Sequence, residues 1–429
     1  MSSRRCAATP ADSVDSALVR RDTLIHLLTE AAEIEHNLLC SYLYATFSLK
    51  SSDCGGLSAE EQTTVDRWRK TLTGIAIEEM AHLALVNNLL VAVGGAPRFD
   101  RPNFPVSPGY HPAGFVIRLA PLTRETLDHF IFLERPSGAG VPEGAGYRPQ
   151  AGLARTPTPG DFTPSTPDYE TIGDFYAEIR ASMEAFARHA GSRTFVPAEH
   201  CQLTPDMADL PGLIAVKTLA DALTAIDTIV EQGEGSSCTK QRCHYSRFQG
   251  IAREWAALIA LNPDFVPAHR AATDPVMRRP AEGLQRVWIS HPETARLLDL
   301  ANALYGFLLV LLENAWGGAA QQRPLVRASV ALMHPLAQVG AMLARLASGE
   351  ENSSNAGMTF AVPRNLRRSP AFGDLRMVSE RIQQLRQGAA SLGLKDVVEA
   401  LTAIEAGLSP AASRTPERRR TLDSNAPAR

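Results

Sequence analysis

The chain has 429 residues, of which 45% are hydrophobic and 21% charged, and a net charge of −3. These values describe a globular protein with room for two or three domain-sized units, and without a basic face they exclude nucleic acid as a natural partner. Six cysteines in so long a chain are too few for a disulfide framework.

Residues 1–17 read as a flexible lead with no apolar core of a secretory signal behind Arg4 and Arg5. The longest strongly apolar, uncharged run, Leu300 to Leu312, is too short to span a bilayer. The expectation is a reducing, cytoplasmic setting and no membrane. A first helix is predicted over about 18–50 and a second over about 59–93, stopped by Gly94–Gly95. Residues 96–168 form a Pro-, Gly- and aromatic-rich insertion, with a strand candidate, "FVIRLA", and a short helix around "RETLDHFIFLE". Further helices are expected over about 169–190, 215–232 and from His244 to Leu261. Past a Pro-rich link at 263–280 they resume at 292–316, 323–348, 374–391 and 395–407, before a polar tail at 409–429. The expected architecture is mostly α: a bundle over 18–262 carrying the insertion, and an additional C-terminal helical region over 263–408.

The second helix contains "IAIEEMAHL", and burying its acids and histidine costs several kcal/mol unless they find partners. Leu72, Ile75, Ala76, Glu79, His82, Leu83, Val86 and Leu90 follow one helical stripe, so Glu79 and His82 fall on the buried face and Glu78 on its flank. The i, i+3 spacing sets a carboxylate beside an imidazole, about 5–6 Å apart at Cβ, and a metal ion would satisfy both. In the first helix, Leu24, Leu28, Ala31, Leu38, Tyr42 and Ala45 form a stripe with Glu35 embedded in it. His36 lies on the neighbouring stripe, and Glu33 joins His26, Glu30 and Asn37 on a polar face. Glu178, beside the apolar stripe of the 169–190 helix, is a further candidate. So are Glu231, Glu234 and His244, if the glycine-flanked break at 233–235 leaves and re-enters the bundle. Bundle metal sites draw carboxylates and Glu-x-x-His pairs from facing helices. A ligand set of oxygen and nitrogen favours iron or manganese over structural zinc.

The segments "AAEIEHNLLCSYLYATFSLK", "IAIEEMAHLALVNNLLVAVGGAPRF", "TIGDFYAEI" and "AIDTIVEQGEGS…HYSRF", with "HFIFLERP" and "LLDLANALYGFLLVLLENAW", resemble the ferritin-like domain of iminophenylpyruvate dimer synthases. Enzymes of this type form chromopyrrolate in violacein, rebeccamycin and staurosporine biosynthesis. The resemblance runs from about residue 20 to about 390 and implies a ferritin-like bundle with a metal centre at Glu35, Glu79, His82, Glu231 and His244, while Glu178 and Glu234 stay candidates that it supports less. The pigment-pathway synthases are far longer, and the chain matches only their ferritin-like portion.

The leading expectation is a non-haem, di-iron oxidase or oxygenase with two iron ions per chain, manganese being the alternative metal. Glu79 and His82 would hold one ion, Glu231 or Glu234 with His244 the other, and Glu35 and Glu178 would bind or bridge. The insertion would wall or cover the pocket, with O2 and a small amino-acid-derived substrate as reactants. The alternatives are an oxidative-coupling component that needs a partner protein and a non-catalytic iron-binding protein. A homodimer is a more natural assembly than a storage cage, because the insertion and the second helical region obstruct cage packing.

Overall fold

The computed structural model describes residues 21–112, 115–147, 155, 164–233, 242–282, 284, 286–318, 321–349, 354–366 and 375–408. The lead at 1–17, the tail at 409–429 and Glu234 therefore lie outside the described residues. Ten helices follow in chain order: α1 (Arg21–Ser48), α2 (Ala59–Ala92), α3 (Arg124–Leu133), α4 (Ile172–Ala190), α5 (Leu219–Gly233), α6 (His244–Leu261), α7 (Pro292–Ala315), α8 (Gln322–Leu343), α9 (Leu375–Ser391) and α10 (Lys395–Leu408).

Local chemistry sets several of these boundaries. Ser58 and Glu61 close a capping box at the start of α2, and Thr171 and Asp174 close another at α4. At the far end of α2, Gly94 takes φ +85° and Gly95 N donates to Leu90 O at 2.7 Å, a left-handed stop that residues with a Cβ disfavour. Pro292 starts α7 at a position where its missing N–H costs no helical bond.

Helices α1 and α2 pack along each other, α4 and α5 lie against them, and α6 packs on α3. Helices α7 to α10 form a second bundle, with α7 against α8 and α10 against both α8 and α9. The two bundles meet where Phe47 of α1 approaches α8 so closely that a Cβ at Gly340 would overlap its ring. Helices α2 and α7 are long and apolar enough to cross a bilayer by length and composition, yet 83% and 67% of their most apolar windows are buried in the protein.

Two expectations fail for the same reason. "FVIRLA" forms no strand; among the described residues the only β pairings are isolated bridges. Backbone groups of Arg118 and Leu119 pair instead with Ser41 of α1 and with Asp274, far along the chain. Ser41 Oγ donates to Arg118 O at 2.8 Å, Leu119 N donates to Asp274 Oδ1 at 2.9 Å, and Asp274 N donates to Leu119 O at 2.8 Å. The polar face expected on α1 is exposed only at His26, for Glu30, Glu33 and Asn37 are all buried. The 96–168 insertion covers them. Arg155 and Thr166 donate to Glu30, Arg98 and Tyr110 donate to Glu33, and Asn37 Nδ2 meets His111 Nε2 at 2.8 Å. The periodicity of α1 gave its apolar stripe, but the insertion supplies polar partners to the rest of its circumference.

Candidate metal centre

Five ionisable side chains, each no more than 4% exposed, converge at the centre of the first bundle: Glu35, Glu79, His82, Glu134 and His244. Glu35 comes from the middle of α1 and the Glu79/His82 pair from the middle of α2, because each interrupts an apolar stripe that faces the core. Glu134 caps the C-terminus of α3, and His244 opens α6. They form two overlapping triads, Glu35–Glu79–His82 and Glu79–Glu134–His244, with the ligand atoms of each triad within 4.8 Å of one another. Glu79 belongs to both.

His82 Nδ1 lies 3.4 Å from Glu35 Oε2 and 3.4 Å from Glu79 Oε2, while His244 Nδ1 lies 2.9 Å from Glu79 Oε1 and 3.5 Å from Glu134 Oε1. The two imidazoles stack with centroids 5.4 Å apart. Metal–ligand bonds near 2.0–2.2 Å place neighbouring donor atoms about 3 Å apart, which is the spacing these atoms take. Glu79 Oε2 and His244 Nδ1 are buried with no hydrogen-bond partner, and a buried orphan of this kind calls for an explanation. The donor set of carboxylates and imidazoles suits iron or manganese. The residues fit a metal.

Outer contacts orient both histidines through their far nitrogens. His82 Nε2 donates to Gln232 Oε1 at 2.9 Å, and His244 Nε2 donates to Glu78 Oε2 at 2.9 Å, where Arg247 also binds. Each bond turns Nδ1 toward the carboxylates, the usual way a metal-binding imidazole is fixed. Two tyrosines complete the shell: Tyr42 donates to Glu134 Oε1 at 2.5 Å and Tyr176 donates to Glu35 Oε1. Burial and then the facing carboxylates hold both phenols well above their ordinary range, so they stay protonated donors.

Without metal the cluster balances its own charge. Burial pushes the Glu35 carboxyl up, against the His82 contact, to about 7. Burial also opposes charge on Glu79, but the His244 and His82 imidazoles outweigh it and hold that carboxyl below its usual range. His82 is raised to about 10 despite burial, by Glu35 and Glu79 together. His244 is raised as well, against burial, by Glu134, Glu79 and Glu78. Protons on the imidazoles thus stand where a cation would, and a bound metal ion would displace them.

The structure brings together four of the seven residues singled out by sequence: Glu35, Glu79, His82 and His244. Glu178 is exposed, its carboxylate accepting from Ser182 Oγ at 3.2 Å on the outer face of α4. Glu231 is exposed as well, because α5 turns Ile229 and Gly233 inward and Glu231 outward. His36 is buried but points to the opposite side of α1, with Nε2 2.6 Å from Tyr305 Oη. Glu78 is more than a flanking acid, since it holds His244. The residue that periodicity missed is Glu134, in a segment expected only to wall the pocket. A signal was present in "HFIFLERP": an acid at the C-terminal end of an apolar helix sits against the macrodipole and needs a compensating cation.

A narrow cavity adjoins the cluster, lined by Leu38, Ile172, Gly173, Tyr176 and Val230 in addition to the acids. A family model described as Ferritin-like matches residues 28–253, more than half of the chain. The chain belongs to the ferritin-like family, and its centre departs from the symmetrical pattern of two Glu-x-x-His motifs by having one such motif, Glu79 to His82, and an isolated His244.

Among curated relatives, a dichlorochromopyrrolate synthase of Lentzea aerocolonigenes is 26% identical, aligned over 87% of this chain and 39% of its own. A 2-imino-3-(indol-3-yl)propanoate dimerase of Chromobacterium violaceum is 26% identical over 85% of this chain and 36% of its own. The chain spans less than two-fifths of the length of either. A crystal structure of a ferritin-like protein from Caulobacter vibrioides aligns with 80% of this chain and 98% of its own, at 20% identity and a TM-score of 0.48.

Proposed function

We propose that the chain is a non-haem metalloenzyme that binds two iron ions and uses O2 to oxidise a small amino-acid-derived molecule. The observation that carries this reading is the sharing of Glu79 between two buried ligand triads, the arrangement a carboxylate needs to bridge two ions. Reduced iron held there would supply the electrons that dioxygen requires. Glu35 with His82 would hold one ion, Glu134 with His244 the other. Gln232 and Glu78 keep each Nδ1 facing the centre, so no ligand spends binding energy on reorientation. Tyr42 and Tyr176 hold protons at carboxylate oxygens that would otherwise carry full charge in a dry site. The apolar walls of Leu38, Ile172 and Val230 keep bulk water from the cluster.

Anaerobic loading with ferrous iron, followed by elemental analysis and O2 addition, tests the proposal. About two irons per chain, with an absorption change on oxygenation, supports it. No stoichiometric metal in the wild-type protein, under conditions where the helices remain folded, would sink it.

A second reading follows from the names of the relatives, which are a synthase and a dimerase. On that reading the chain contributes to oxidative coupling of imines derived from aryl-pyruvates and depends on a partner protein, because it spans only a fraction of the relatives' length. Turnover of an amino-acid-derived imine only after a second protein is added would favour it over the self-sufficient oxidase.

A further inference from the structure

A second cavity, of about 280 Å3, shares no lining residue with the one at the metal centre. It lies between the insertion and the segment that follows α6. Pro105, Val106, Pro108, Phe115 and Ile117 give it apolar walls. Its charged groups are three: Arg118, Asp274 and Arg286. Asp274 is the only acid among its lining residues and is 1% exposed. That carboxylate is already committed: Oδ1 accepts from Leu119 N at 2.9 Å and Oδ2 from Arg118 Nε at 2.7 Å. A second guanidinium, that of Arg286, stands 3.7 Å from the same Oδ2, and both arginine side chains remain about one-third exposed. Two cations thus share one anion at the cavity, leaving an excess of one positive charge.

Two further features mark the site as built rather than incidental. Asp274 takes φ +44°, a left-handed conformation uncommon for a residue with a Cβ, and this turn aims its carboxylate at both arginines. Backbone strain of this kind concentrates where surrounding structure holds a residue for function. His111, buried at 3% exposure, also lines the cavity, and its Nδ1 has no hydrogen-bond partner among the described residues. Burial, with Arg155 and Arg101 nearby, lowers its basicity to about 3, so it is neutral. A concave site that sets apolar walls beside a few convergent cationic groups is the general form of a small-molecule site.

We propose that this cavity binds a small carboxylate with an apolar body, its carboxylate on Arg286 and its hydrocarbon against Phe115 and Val106. Guanidinium recognises carboxylate through paired N–H donors, and the volume accommodates one aromatic ring with a short acid side chain. The proposal is independent of the chemistry at the metal centre.

Calorimetric titration of the full chain with phenylacetate tests it, with benzylamine and inorganic phosphate as matched probes. Phenylacetate is expected to bind, benzylamine not to bind, and phosphate to bind at least tenfold more weakly. R286Q, at a partly exposed position, is expected to weaken phenylacetate at least tenfold, and V106W to abolish its binding. H82Q is expected to leave it unchanged. Equal binding of benzylamine, equal binding to R286Q, or no binding by wild-type protein would overturn the proposal. Loss of binding in H82Q alone would also overturn it, moving the ligand to the metal centre and leaving the oxidase reading standing.

Discussion

The two helical bundles solve the same packing problem with different materials. In the second, α7 to α10, the described residues bury no charged side chain at all; the core is mostly Leu, Val, Ile and Ala, with Tyr305 and Phe307, and its buried polar groups are Asn314, Gln322 and a few hydroxyls. In the first, the middle of α1 and α2 buries Glu30, Glu33, Glu35, His36, Glu79 and His82. Burying a charge costs several kcal/mol per ion even after relaxation, so a chain that can make a purely apolar bundle has no stability reason to do otherwise. The charges of the first bundle divide into two kinds. Glu30 and Glu33 are neutralised by arginines of the insertion, which cements the insertion to α1. Glu35, Glu79, Glu134, His82 and His244 face one another without a lysine or arginine among them, and that is the signature of a site.

Substitutions should separate the bundles sharply. The largest effect on metal is expected from Glu79→Gln, which removes the shared carboxylate. Elemental analysis after anaerobic loading should find both ions lost while the circular dichroism stays helical. Leu304→Ala in α7, a fully buried position, should do the reverse. It should cost about 2–5 kcal/mol in denaturant unfolding without changing metal per folded chain. Loss of metal in both variants, or in neither, would break the comparison.

His244→Gln should remove one ion and leave the other, giving about half the wild-type iron. Glu78→Gln should weaken metal affinity about 10- to 100-fold, the usual cost of losing a partner that orients a ligand, measured by chelator competition. An unchanged affinity would mean that Arg247 and backbone alone fix the imidazole.

A pH effect should come from the insertion rather than from the second bundle. Burial lowers His111 and His129 from 6.5 to about 3, so the unfolded chain takes up protons there before the folded one does. Their contribution is fully present above 6.5 and is lost as pH falls from 6.5 toward 3. The urea midpoint should therefore fall between pH 7 and pH 4, and less steeply in His129→Gln. The smallest effect is expected from Glu178→Gln and Glu231→Gln, which should leave metal content as it is because both side chains face solvent.

Much of this architecture was legible in the amino-acid order. Helix spans, the glycine stop after α2 and the burial of Glu35, Glu79 and His82 are local matters, governed by periodicity and by the backbone freedom of glycine. Glu78 and the burial of Glu30 and Glu33 were not legible, and Glu134 was legible only as a helix-end acid in need of a cation, because each depends on a partner far along the chain: His244 for Glu78 and Glu134, Arg155 and Arg98 for the others. Periodicity tells which face of a helix is turned inward; it carries no information on what lies opposite. So the sequence determined a helical protein with a buried Glu-x-x-His at its centre. Only the tertiary structure decided that the insertion, by way of α3, completes the second half of the centre, since a carboxylate at a helix end acquires its partner only when another helix start is packed against it.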